Sequence, residues 1–231
     1  NSVLHAEFPV NKVHAMDTSK LPTAEQTLLL MRKRRSNRAF STNPVPEDYL
    51  SQILEAAHRA PTASNLQQVS FTLITDPEKL KLVTEFTINT FLSSLKWVDN
   101  AVCRPFLKRF APSIYNYIPI IRNADKLYRE KGKNNILRGA TSLLFIHAPK
   151  ELPFGCEDCN LAYQNASLMA ESLGVSQFYT GFVLRATRQK RGKLEESLGI
   201  NGRIYAGLAM GMPLFECMNY IDKKDLNINY L

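Results

Sequence analysis

Apolar residues along this chain follow two rhythms. Within residues 47–59, Leu50, Ile53, Leu54 and Ala57 recur at i, i+3, i+4 and i+7, which places one apolar stripe on a helix. Val69, Phe71 and Leu73 alternate with polar neighbours instead, the two-residue period of a half-buried strand. Residues 142–147, with the apolar run Leu143-Leu144-Phe145-Ile146 closed by His147, read as a buried strand. Residues 159–173 return to a helical period through Leu161, Ala162, Asn165, Leu168 and Met169, and Gly174 stops them. A short strand follows over 175–180 up to Gly181, a charged surface helix over 187–198, and a last core strand over 203–210, ended by Gly211-Met212-Pro213.

Punctuation supplies the remaining boundaries. Thr23, with Gln26 three residues later, fits a capping box for a helix carrying Leu28, Leu29 and Met31 to about Arg34. Pro44 and Pro46 break the chain before the next helix, and Asp76-Pro77-Glu78 opens another. Residues 61–68 form a polar loop. Residues 91–138 are aromatic, basic and interrupted by Pro105, Pro112 and Pro119, which suggests a helical lid over about 88–138. Residues 1–22 read as an extended arm and residues 216–231 as an extended tail, its apolar Leu226, Ile228, Tyr230 and Leu231 suited to cover another surface. No repeat or linker divides the chain, and helices alternating with a few strands predict one α+β domain over 23–215.

Composition excludes several classes. Hydrophobic residues make up 45% of the 231 and charged ones 22%, enough apolar surface to offset chain entropy, so disorder is excluded as the main state. No apolar run approaches the roughly 20 residues of a membrane-spanning helix. Twenty-nine Lys and Arg against 21 Asp and Glu leave a net charge of +8, which favours an anionic partner. Four Cys are too sparse for a disulfide scaffold, and a reduced, cytoplasmic setting is the simplest reading. Cys156-x-x-Cys159 has no second ligand pair at zinc spacing, so no metal site is expected. Cys159 is expected to face its helix's core and His147 to be structural, while Trp97 could either pack or stack on a substrate.

Two segments carry candidate chemistry. Arg34-Arg35-Ser36-Asn37-Arg38 presents guanidinium groups that match phosphate geometry, with a hydroxyl beside them; such a run is more often a solvated helix end. Thr62, Ser64, Asn65 and Gln67 offer the donors and acceptors that read the edge of a planar heterocycle; their residue types equally favour an ordinary turn.

Taken together and in order, these segments resemble the nitroreductase-like FMN-dependent flavoenzymes. The residues that carry the likeness are Arg34-Arg35-Ser36-Asn37-Arg38-Ala39-Phe40, then Pro44-Val45-Pro46, then Ala60-Pro61-Thr62-Ala63-Ser64-Asn65-Leu66-Gln67, followed by Leu173-Gly174, Gly181-Phe182 and Gly211-Met212-Pro213. The likeness covers roughly residues 23–215. It implies a mostly antiparallel sheet flanked by helices, an intertwined homodimer, and FMN at the interface. Arg34, Arg35, Ser36 and Arg38 would hold the FMN phosphate and ribityl chain. Thr62, Ser64, Asn65 and Gln67 would meet the flavin along the ring or from the partner subunit, and Thr180 and Gly181 would face its N5. Lys223 or Lys224 stands where relatives often carry Arg against the phosphate, and Gln68-Val69 replaces a common Pro-Trp. The implied activity is ping-pong reduction of small electron-poor substrates, nitro or quinone-like, with no catalytic side chain. NAD(P)H or an iron–sulfur centre is the reductant.

Two further expectations concern partners. The chain begins at Asn1 rather than Met, and Ser2-Val3-Leu4 resembles the exit from the Cys-Pro cluster motif of ferredoxin-like domains that some family members carry at the N-terminus. An upstream iron–sulfur domain is therefore expected as readily as an ordinary N-terminal arm. The alternative class is a basic binding module for nucleic acid or phosphorylated ligands. Its support is the net charge and the cluster at 32–38; against it, no recognised nucleic-acid reader fold is present.

Overall fold

A computed structural model describes residues 12–98, 105, 109, 115 and 117–231. The helices are α1 (Ala24–Lys33), α2 (Glu47–His58), α3 (Pro77–Val98), α4 (Ile118–Lys131), α5 (Gly155–Ser172), α6 (Gly181–Gln189) and α7 (Lys193–Leu198). The strands are β1 (Ser70–Ile74), β2 (Ser142–Ala148), β3 (Ser176–Tyr179) and β4 (Arg203–Gly211). The strands pair in the order β1-β2-β4-β3, antiparallel throughout. This is the α+β arrangement that the patterning predicts.

All seven residues of β2 are buried, because the strand is central and covered on both faces. Leu144 and Ile146 face one core with Ala206, Leu208 and Met210 of β4, beneath α2 and α5. Leu143 and Phe145 face a second core with Ile204 and Ala209, beneath α3, α6 and α7. In α5, Cys159, Ala162, Ala166 and Ala170 are fully buried or nearly so, and these small side chains let the helix approach the sheet. Val69, Phe71 and Leu73 all pack on the first core, as their alternation requires. Leu50, Ile53 and Ala57 are the buried face of α2.

The structure corrects some boundaries. Helix α5 starts at Gly155, four residues before the apolar period becomes visible. The single charged helix expected over 187–198 is two helices, broken where Gly192 adopts φ 78°, a left-handed conformation that glycine tolerates best. The first of them begins at Gly181, and Val183, Leu184, Ala186 and Thr187 are buried, so it belongs to the core rather than the surface. Residues 88–98 of the expected lid are the end of α3, which continues to Val98, and most of residues 99–116 lie outside the described residues. Pro119 does not interrupt structure: it lies in the first turn of α4, where a missing N–H costs nothing. Pro112 and Cys103 lie outside the described residues, as does the side chain of Trp97. No helix among the described residues is long and apolar enough to cross a membrane.

Candidate functional site

The basic segment begins where α1 ends. The capping box forms as expected: the Gln26 amide donates to Thr23 Oγ1 (3.2 Å) and the Thr23 amide to Gln26 Oε1 (2.9 Å). Arg34 is the C-terminal cap of this helix, and an extended stretch follows. Its anchor is Phe40. The Phe40 ring stacks on Phe178 at 6.0 Å between centroids, and a Cβ placed on Gly211 would lie 2.8 Å from that ring. Glycine at 211 is therefore required for the ring to lie against the end of β4. Flanking amides close the arrangement, Ser41 donating to the Met212 carbonyl and Leu214 to the Ala39 carbonyl. The fully buried Gln177 donates from Nε2 to the Arg35 carbonyl at 3.3 Å. So pinned, Arg38 holds its guanidinium 5.5 Å from the centroid of the Phe178 ring.

Strand β3 ends at the same place. The Thr180 amide donates to the Gly207 carbonyl at 3.0 Å, and the chain then turns directly into α6. The first amides of a helix have no intrahelical acceptor and carry the positive end of its dipole, and here no N-cap side chain accepts from them. Gly181 has no heavy atom within 4 Å of the position a Cβ would take, whereas a Cβ on Gly207 would lie 2.3 Å from Thr180 Oγ1. Arg38, Thr180 and Gly181 line one cavity of about 350 Å³, with Arg138 and Arg185 also on its walls. Three guanidinium groups and a helix N-terminus around one cavity make it receptive to anions.

Other expected site residues lie elsewhere. Ala63–Asn65 forms a short 3-10 turn, and within this loop Ser64, Asn65 and Gln67 adopt φ 51°, 54° and 52°. Non-glycine residues hold that conformation only where their surroundings impose it. Here the Gln67 amide donates to Thr62 Oγ1 (3.0 Å), Gln67 Nε2 to Asn65 Oδ1 (3.2 Å), and the Ala63 amide to Asp158 Oδ1 (3.0 Å). Ser64, Asn65 and Gln67 are exposed, and none of them lines the cavity of Arg38 and Gly181. Lys223 is exposed in the tail and makes no hydrogen bond or ion pair among the described residues. The tail nevertheless starts alongside the basic segment, where Asn37 Nδ2 donates to the Phe215 carbonyl and Arg32 lies 5.5 Å from the Tyr220 ring centroid.

Sequence reading missed Asp158 and Gly207. Asp158 is buried, and its Oδ2 has no partner among the described residues; beside Glu157 it looks like an ordinary first-turn acid. Gly207 did leave a signal, since glycine inside a strand pattern marks a close approach. His147 is structural as expected. Its Nδ1 lies 3.1 Å from the Asn201 carbonyl, which can only accept, so Nδ1 carries the proton and Nε2 accepts from Thr72 Oγ1 at 3.0 Å. Burial pushes the Cys159 thiol up to about 12, which denies it thiolate chemistry. No group of three or more metal-ligating side chains occurs among the described residues.

The fold and the cavity define the class: an α+β domain in which an arginine-rich segment and a helix N-terminus converge at the end of an edge strand. The chain belongs to the nitroreductase family, whose model matches residues 31–212. It is 28% identical over 184 residues to the FMN reductase (NAD(P)H) of Bacillus subtilis, a match covering 78% of this chain and 62% of that protein. It is 26% identical over 190 residues to an NADPH-dependent oxidoreductase of Staphylococcus saprophyticus, covering 82% and 66%. The chain thus spans about two thirds or less of these relatives. Among solved structures it resembles a nitroreductase with bound FMN from Bacteroides fragilis, with a TM-score of 0.64, 21% identity, and coverage of 89% of this chain and 98% of the other. A second, from Desulfitobacterium hafniense, gives a TM-score of 0.65 at 18% identity, covering 89% and 97%.

Proposed function

We propose that this chain is an FMN-dependent oxidoreductase that reduces small electron-poor substrates such as nitro or quinone-like compounds. The observation that carries the reading is the convergence of Arg38 with the uncapped start of α6 at Thr180 and Gly181 on one cavity. The donor set suits FMN, with the Arg38 and Arg185 guanidinium groups for a phosphate and helix amides for the polar edge of a ring. Gly181 adds a backbone approach that no side chain obstructs. When bound, FMN supplies hydride or electron transfer at N5, which the protein's own side chains cannot supply.

The chain's part is to bind and orient. Of the basic segment Arg38 alone lines this cavity, while Arg35 lines a separate recess with Lys33 and Glu171; Arg38 holds the phosphate, Arg34, Arg35 and Ser36 complete the phosphate and ribityl contacts, and Thr180 and Gly181 hold the ring edge. Thr62, half-buried, and the exposed Ser64, Asn65 and Gln67, all apart from this cavity, meet the flavin of a second copy in a homodimer. Exposed apolar surface supports that assembly: Leu28, Leu29 and Met31 of α1 are uncovered, and Leu226 and Tyr230 of the tail are 87% and 89% exposed. Lys223 follows Tyr220 by three residues, so the tail carries it past the basic segment toward a phosphate. NAD(P)H is the reductant, with an upstream iron–sulfur domain as the second candidate.

Denaturing the purified protein and identifying the released chromophore tests the reading. Stoichiometric FMN is expected; a colourless protein with strongly salt-dependent nucleic-acid binding would instead favour the basic binding module. Sedimentation of the yellow species as a monomer would overturn the shared site. Rapid NADPH oxidation separates a nicotinamide-reduced enzyme from one reduced only by dithionite or an iron–sulfur donor.

A further inference from the structure

A second cavity of about 440 Å³ adjoins the one just described. Ile88 and Phe91 of α3, Ile120 and Ile121 of α4, and Phe182 of α6 form its walls, with Phe91 and Phe182 in edge-to-face contact at 6.1 Å. Ile120 is 51% exposed and Phe182 42%, so large apolar side chains remain uncovered around a concave space. That is the chemistry of a small-molecule site rather than of a surface patch. A cavity of about 150 Å³ takes one benzene ring, so this one has room for a bicyclic body.

The two cavities share Asn135, Ile136, Arg138 and Phe182. Arg138 is the one cation lining the apolar cavity among the described residues, and it has no acidic partner there. Its backbone is held at φ 59°, a strained conformation for arginine that must be imposed. Asn134 imposes it from one side: Oδ1 accepts the Ile136 and Leu137 amides at 3.0 and 2.9 Å, while Nδ2 donates to Thr84 Oγ1 of α3 at 2.9 Å. From the other side the Ala140 amide donates to the carbonyl of the buried Leu137 at 2.9 Å. The turn thus presents one guanidinium at the junction of an apolar chamber and the cofactor cavity.

We infer that the substrate is an electron-poor aromatic that also carries a carboxylate, with its ring body in the apolar chamber and its carboxylate on Arg138. This deepens the flavin reading, on which its catalytic meaning rests. The binding preference itself is a property of the chamber and is measurable without flavin.

The test is calorimetric titration of the protein, flavin-loaded and flavin-free, with 2-naphthoate and its neutral isostere 2-naphthamide. Naphthoate should bind about tenfold to a hundredfold more tightly, the difference made by one charge-assisted hydrogen-bonded pair. Arg138→Gln should erase that preference while leaving naphthamide within about twofold, since an apolar contact is blind to the lost charge. Ile120→Asp, a change at a half-exposed position, should weaken both ligands and naphthoate more; it decides the matter should Arg138→Gln fail to fold. Equal affinities in the unaltered protein, a preference surviving Arg138→Gln, or naphthoate binding indifferent to Ile120→Asp would each overturn the proposal. Released flavin is assayed separately. Absent FMN with the preference intact removes the flavin reading alone, and bound FMN without the preference removes this inference alone.

Discussion

Replacing Gly207 with Ala asks how rigidly the start of α6 is held. The added methyl would lie 2.3 Å from Thr180 Oγ1 and 3.2 Å from the Phe145 ring. The hydroxyl must retreat by at least about 0.7 Å to reach the 3.0 Å floor for real Cβ contacts. Phe145, fully buried, need shift by only a few tenths of an ångström, so most of the movement falls on Thr180, whose amide is tied to the Gly207 carbonyl. Overpacking of this kind costs about 1–3 kcal/mol. In a chain of this size that lowers Tm by roughly 2–12 °C. The same displacement shifts the α6 amides, so FMN affinity should fall with stability. Thr180→Ala removes the clashing atom. The double substitution should therefore recover at least about 1 kcal/mol relative to additivity, as expected for directly touching groups. Thermal unfolding of the flavin-free protein followed by circular dichroism supplies the cycle, and quenching of FMN fluorescence supplies the affinities. A Gly207→Ala protein that melts with the unaltered one, or a strictly additive pair, would refute the reasoning.

Arg38→Ala should weaken FMN about tenfold to a hundredfold, the loss of a charge-assisted bond, and lower stability by less than about 1 kcal/mol, the scale of an exposed cation–π contact; unchanged FMN titration would reduce Arg38 to a solvated helix-end charge. Asp158→Ala removes the acceptor of the Ala63 amide and should cost about 1–3 kcal/mol, with faster hydrogen exchange across 62–67. Asp158→Asn keeps an acceptor oxygen and should largely restore protection; equal exchange in both variants would deny Asp158 its hold on the loop. Burial, the largest cause, lowers the His147 pKa below its ordinary 6.5 despite the bond to the Asn201 carbonyl. The unfolded chain therefore takes up the proton first, so stability should decline as pH falls from about 6.5 toward the lowered folded value and hold steady above. Melting curves between about pH 7 and pH 5 should show that slope, and His147→Gln should flatten it.

Local order proved legible from the sequence because its causes are local. The Thr23–Gln26 capping box, the Leu50–Ala57 stripe and the Val69–Leu73 alternation each report a backbone period or a cap within a few residues, and each stands in the structure as read. The ordered motifs from Arg34 to Pro213 sufficed for the family for the same reason: residue type and spacing are written along the chain. What joins Arg38 to Gly181 is not written there. Phe40 must stack on Phe178 across 138 positions and lie against Gly211, and only the packed sheet brings those three together. The burial of α6 likewise escaped the pattern, because Arg185 and Arg188 mask an apolar face whose partner, α3, is distant in sequence. Asp158 was invisible for a related reason. A carboxylate in a first helical turn is ordinary in water, and becomes an anchor only when folding removes that water and leaves the Ala63 amide as its hydrogen-bond donor.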